Sequence, residues 1–223
     1  MIGATRFHTL SLLLGALLGA AALAPAQAAT ITAGSDRPGG GVGVDLSGYT
    51  PCGVRGDISA GVGTFSGSGP AGSGAAACGD TTTVQVKDEA SPNPYGRFNP
   101  QGGSWLESND LKNVQWNLDV DTPVRRVTFA LTDARDQRRS HFEIAAGGDT
   151  WTIDERQENG ALQWITILFD EPVDEARIRF STRHNDGFGI SDVKVSPVPV
   201  PPALLLMASG LALLAAVHRP RAG

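Results

Sequence analysis

Outside its two ends this chain has no stretch with apolar residues at helical spacing, which points away from any helical fold for its middle. Cysteine is nearly absent, with Cys52 and Cys78 the only two. Histidine is scarce as well. Between residues 29 and 195 only His141 and His184 could join those thiols, too few for a zinc site. No serine stands in a Gly-x-Ser-x-Gly elbow, and neither histidine sits in a context that suggests a catalytic base. No acidic segment follows the EF-hand pattern. Positive charge is in deficit too. All 23 acidic residues but only 15 of the 18 basic ones lie between the two ends, a formal charge of −8. A domain so charged repels phosphate backbones and anionic bilayers, so nucleic acid is not an expected partner.

Long apolar runs are confined to the ends. Residues 1–28 have the parts of a secretory signal: Arg6 and His8 as a positive start, Leu10 to Leu23 as an apolar core, then Pro25 and the small-x-small site Ala26-Gln27-Ala28. Cleavage by signal peptidase is expected after Ala28. At the other end the chain reads SPVPVPPALLLMASGLALLAAVHRPRAG. Ala203 to Val217 is uncharged and apolar, and predicts a transmembrane helix over about 203–217. As a helix it would span roughly 22 Å, short against a hydrocarbon core of ~30 Å. Arg219 and Arg221 would hold the extreme end on the cytoplasmic side.

Val198, Pro199, Pro201 and Ala203, followed by the short apolar run and the basic end, resemble the exosortase-recognised PEP-CTERM sorting tails, most closely the VPLPA-CTERM variant. The chain departs from that variant at Val200, in the extra Pro202, and in ending on only two arginines. The resemblance covers about the last 28 residues. It implies a Gram-negative exported protein held transiently in the inner membrane. An exosortase-type enzyme would then remove the tail and deliver the protein to the cell surface or matrix.

The exported part, residues 29–195, is long enough for one domain with a sizeable core. An even pair of cysteines in an oxidising compartment predicts a Cys52–Cys78 disulfide. Closing that loop of about 25 residues would stabilise the fold by roughly 3–4 kcal/mol on the chain-entropy account. Residues 29–80 are crowded with glycine and predict thin edge strands and long loops. After Thr81 come TTTVQV, NVQWNLDV, RRVTFALTD, SHFEIAA, DTWTIDE, LQWITILFD, EARIRFST and FGISDVKVS, short alternating segments parted by turn residues. Val127, Phe129 and Leu131 fall on one face. Trp164, Thr166 and Leu168 oppose Ile165, Ile167 and Phe169, as in a strand covered on both sides. The pattern predicts an all-β fold, a jelly-roll-like β-sandwich, with an opened barrel as the alternative. The segments Trp105–Asp110, Phe129–Gln137 and Asn185–Asp192 also resemble uncharacterised exported domains that carry such tails, which implies the same fold and no function.

Chemistry is harder to find. Adjacent or near-adjacent carboxylates such as Asp119 and Asp121, Asp154 and Glu155, Asp170 and Glu171, or Asp174 and Glu175 are the raw material of glycoside hydrolysis. They also sit where strands turn, which explains them without catalysis. Calcium is the better chemical expectation, because it takes hard oxygen ligands from acidic turns. Asp133, Asp136 and Asp186 are the first candidates, although Arg135, Arg138 and Arg139 crowd the same turns and an Asp–Arg surface network would explain them equally. Of the four tryptophans, Trp105 follows a glycine pair in QGGSWLES and is the one expected to be exposed, as a glycan contact. The reading that fits these residues is a non-catalytic surface or matrix protein associated with exopolysaccharide. A polysaccharide-active enzyme and a protein-binding adhesin are the alternatives.

Overall fold

The computed structural model of the chain describes residues 28–53, 56–68, 78, 83–91, 95–183 and 186–198. The expected signal and tail helices lie outside the described residues, as do Pro199, Pro201, Ala203, His184 and Asn185. Among the described residues no helix is long and apolar enough to cross a membrane.

The described chain is all β. Its strands are β1 (Ala29–Gly34), β2 (Val42–Gly43), β3 (Ile58–Ser59), β4 (Thr64–Ser68), β5 (Gln85–Lys87), β6 (Trp105–Glu107), β7 (Asn113–Thr132), β8 (Phe142–Ala146), β9 (Asp149–Ile153), β10 (Leu162–Thr182) and β11 (Gly189–Pro197). They join in one antiparallel sheet of order β5-β6-β11-β7-β10-β8-β9, with β1 added to β10, β2 to β11, and the β3–β4 pair to β7.

The sequence pattern divides residues 113–133 and 162–182 into two strands each; the structure joins each pair into one long strand, β7 and β10. Asp121-Thr122-Pro123 and Asp170-Glu171-Pro172 do not end the strands. They mark a bend where the β7–β10 ladder shifts register between Leu168, Val173 and Glu175. A strand can bend at such an irregularity and stay extended, and a proline is tolerated where it need not donate to the ladder. Beyond the bend the second half of β7 pairs with the first half of β10 and with β11, while the first half of β7 pairs with the second half of β10 and with β4.

Val127, Phe129 and Leu131 share one buried face of β7, and Thr128, Ala130 and Thr132 on its other face are buried too; Ile165, Ile167 and Phe169 share a buried face of β10. The opposite face of β10 is only partly covered, because Trp164 is buried but Leu168 is exposed. Phe129 meets Phe180 edge to face at 5.7 Å, and Phe180 and Phe142 both pack on Phe188. Phe129 and Phe180 lie on opposite sides of the bend, so this contact ties the two arms of the sheet together.

The glycine-rich N-terminal part joins this frame through β1, β2 and β4 and through contacts of side chains and backbone near β3, β4 and Cys52. Phe65 stacks on Trp116 at 4.9 Å, and Trp116 Nε1 donates to Val62 O at 3.0 Å. Gly63, at φ 108°, lies so close to Asn117 O that a Cβ would overlap it. Cys52 and Cys78 are joined in a disulfide. Cys52 N donates to Val86 O at 2.9 Å, which anchors the bridge beside β5. Both ends of the described domain leave from the bend: Asp170 N donates to Ala28 O at 3.0 Å, and Val198 N to Pro123 O at 2.9 Å.

Candidate functional site

The charged residues that matter most here are inside. Arg97 enters from the loop before β6 and is almost fully buried. Its guanidinium donates to three carboxylates: Nη1 to Glu107 Oε1 at 2.5 Å, Nη2 to Asp110 Oδ1 at 3.0 Å and Nε to Asp133 Oδ2 at 3.1 Å. Five donors in a planar fork suit that task, and a lysine in the same place could not serve three carboxylates in fixed directions. Glu107, on β6, is 0% exposed and also accepts from Asn109 N at 3.2 Å and Trp105 Nε1 at 3.4 Å. Lys87 Nζ stands 3.9 Å from its other oxygen.

Tight backbone turns deliver these groups. Asn109 and Asp110 both have positive φ, 56° and 57°, as does Asp133 at 63°. Asn and Asp tolerate this conformation better than most residues. The pair turns the chain straight from β6 back over Arg97, and Ser108 Oγ closes the turn by accepting from Phe188 N at 2.8 Å. Gly187 packs against the centre, where a Cβ would overlap both Asp110 Oδ1 and Arg97 Nη2.

Burial and charge oppose one another throughout. For Arg97 desolvation works against the charge, but Glu107, Asp110 and Asp133 outweigh it and raise the pKa above its ordinary value. Lys87 is lowered, first by burial and then by Arg97, with Glu107 and Asp110 pulling the other way. Burial pushes Asp133 up to about 7, helped by Asp136 and opposed by the Gly160 N–H and by Arg97. Asp186 also rises to about 7, first through burial, with the hydrogen bond from Ser140 Oγ opposing and Asp136 and Asp133 adding to the rise.

The structure thus brings Asp133, Asp136 and Asp186 together, and all three are buried rather than on a solvated rim. Asp133 is already engaged, with Oδ2 on Arg97 and Oδ1 accepting from Gly160 N at 2.9 Å. Asp186 Oδ1 is buried without a hydrogen-bond partner. Among the described residues no group of three or more His, Cys, Asp or Glu side chains is arranged to hold a metal ion. The expected pairing of these acids with Arg135, Arg138 and Arg139 is not what forms: the cation at the centre is Arg97. Nothing in the spacing of the sequence singles out Arg97, although its setting in a Pro- and Gly-punctuated loop hints at a fixed one.

Trp105 is a correction. It was expected to be exposed, but it begins β6, pairs with Lys87 across the ladder and is 1% exposed, so it offers no face to a glycan. β6 lies inside the sheet between β5 and β11, and buried Glu107 gives the ring N–H a partner. Trp116 and Trp164 are buried as well, and Trp151 is half-buried. The paired acids Asp119, Asp121, Asp154, Glu155, Asp170, Glu171, Asp174 and Glu175 are all exposed. Asp119 and Glu175 stand opposite each other across the β7–β10 ladder, beside Arg177.

Two surface hollows lie near this centre. One, of about 250 Å³, is lined by mixed groups including Asp45, Ser47, Phe65, Asn99, Leu106 and Asp192. The other is lined by Arg135, Gln137, Arg138, Arg139 and Arg156. No protein-family model matches the chain, and a search of curated proteins finds no match.

Proposed function

We propose that this chain is an exported, non-catalytic surface or matrix protein whose jelly-roll-like sandwich domain associates with extracellular polysaccharide. The sandwich reading is supported by the contact of Phe129 with Phe180 across the bend. The observation that carries the export reading is where the first and last described strands begin and end. Strand β1 starts at Ala29, one residue past the signal site at Ala28, and β11 ends at Pro197, one residue before the Val198 that opens the sorting motif. Signal peptidase and an exosortase-type enzyme could both cut without breaking a strand. The non-catalytic reading is supported by the engagement of Glu107, Asp110 and Asp133 with one buried guanidinium. The test is mass spectrometry of the protein recovered from the surface fraction of its host, with a glycan array of the same material. A mature form from Ala29 to near Pro201 that binds a glycan is expected. An intact Arg221 end would argue for a permanent anchor, and turnover of the glycan would favour the polysaccharide-active enzyme.

A second reading, Ca²⁺ held by Asp133, Asp136 and Asp186, is favoured by one observation, the unpartnered Oδ1 of buried Asp186. Extracellular modules take calcium at about 10⁻⁴–10⁻³ M. Thermal unfolding in millimolar calcium, in magnesium and in EDTA decides it, since only specific binding raises the midpoint in calcium alone.

A further inference from the structure

The hollow over the buried acids is lined by four guanidiniums and one amide, on a domain that is otherwise strongly acidic. Arg135, Arg138 and Arg139 come from the loop after β7, and Arg156 from the loop after β9. Their approach is fixed by backbone contacts: Arg156 Nε donates to Asp136 O, and Gln157 N to Arg135 O at 3.0 Å. From below, the loop is pinned by Asp133 on Arg97 and Gly160 N, and by Ser140 Oγ on Asp186. Gln137 Nε2 donates to Asp136 Oδ2 at 3.1 Å, which orients the exposed amide in the lining of the hollow.

Two further observations set these arginines apart. Among the described residues none of the four forms an ion pair within 4.0 Å, whereas Arg37 pairs with Asp192 and Arg97 with three acids. Arg135 and Arg139 also hold positive φ, 62° and 67°, a conformation that glycine or asparagine would adopt at less cost. Like charges gathered on a strained loop, none of them paired within 4.0 Å among the described residues, suit an oxyanion that arrives from outside.

We propose that this hollow binds the carboxylate or sulfate groups of an anionic polysaccharide, an assignment that rests on the polysaccharide reading above. A guanidinium meets either group through two parallel hydrogen bonds, and Gln137 supplies an amide for a neighbouring hydroxyl. The chain's overall negative charge disfavours a densely charged phosphate polymer or membrane. A sugar chain whose charges are spaced by neutral rings meets less of that repulsion.

The test is a binding titration of the full exported chain against polygalacturonate, a sulfated dextran, fully methyl-esterified polygalacturonate and neutral dextran. Phosphatidylglycerol vesicles and single-stranded DNA complete the set. Binding to one or both charged polymers, weakening with salt and lost on esterification, is expected; whichever of the two binds identifies the group. An Arg138→Ser, Arg139→Asn double variant should bind roughly tenfold or more weakly, since two charge-assisted contacts are removed. Lys112→Ser with Arg179→Ser removes the same charge elsewhere on the surface and should leave binding unchanged. Circular dichroism and thermal unfolding establish that each variant is folded. Equal loss in both variants would overturn the site in favour of a diffuse charge effect. Binding to neutral dextran, unchanged in the arginine variant, would move the glycan site elsewhere, overturning this assignment while leaving the polysaccharide reading intact. Binding to no glycan, or to vesicles or DNA in preference, would overturn both.

Discussion

Arg97 Nη1 and Glu107 Oε1 are 2.5 Å apart, and neither residue is open to water. Breaking a buried ion pair by removing one partner typically costs about 3–5 kcal/mol, because the other charge is left uncompensated. Arg97→Ala leaves three carboxylates in that position and should destabilise the fold by at least that range, measured as the shift of a urea unfolding curve. Arg97→Lys restores the charge but not the three-way fork, and should recover only part. If Arg97→Ala unfolds within about 1 kcal/mol of the parent, the centre is solvated and the buried geometry is wrong.

Gly187 tests the same centre from its other side. Gly187→Ala places a methyl group against Asp110 Oδ1 and Arg97 Nη2, a carboxylate and a guanidinium that hold each other in a buried ion pair and so have little room to give. A loss of about 1–3 kcal/mol is expected for such overpacking. Gly34→Ala, which meets no atom within 4 Å, is the matched control and should cost much less in the same urea experiment.

The pH dependence follows from Asp133 and Asp186, both pushed up to about 7 from the ordinary value of 3.8. Between those limits the folded state binds more protons than the unfolded chain. The stability these groups contribute is therefore fully present below about pH 4 and is lost as pH rises through about 7. Discounted for partial solvent screening, the two together amount to on the order of 2 kcal/mol, or a melting temperature about 4–8 °C lower at pH 8 than at pH 5. Asp186→Asn needs no proton to be neutral and should flatten the profile. An unchanged slope in that variant would show that Asp186 does not titrate in this window.

The Cys52–Cys78 bridge makes a simpler prediction. Reduction, or replacement of both cysteines by serine, should lower stability by roughly 3 kcal/mol through the freed loop. Equal melting temperatures with and without reductant would mean that the 53–77 loop is already constrained in the unfolded chain.

Period-two alternation was enough to group Val127, Phe129 and Leu131 on one face, because side chains alternate along any strand, but it did not show that Thr128, Ala130 and Thr132 opposite them are buried as well. The same local logic failed where the determining neighbour is distant. Trp105 follows Gly102 and Gly103 and looks like a loop residue, yet it begins β6, which pairs with β5, 18 residues earlier at Lys87, and with β11, 84 residues later at Gly189. Pro123 and Pro172 read as stops but lie within continuous strands, since at a bend the ladder tolerates a missing donor. Asp133 and Asp186 were legible as acidic turns, and the sheet does bring them together. Their burial was not legible, because it depends on Arg97, which comes from a different loop. The arginine hollow was visible only as a crowd of like charges.

The bend at Pro123 and Asp170, where Ala28 and Val198 are both held, also sets a direction. From there the second half of β7 runs away for roughly 30 Å, at about 3.3 Å per residue, before reaching the loop that carries Arg135, Arg138 and Arg139. On the proposed reading the tail follows Val198, so the arginine loop is separated from the point of attachment by that length of strand, and a ligand held there would sit well apart from whatever holds the tail.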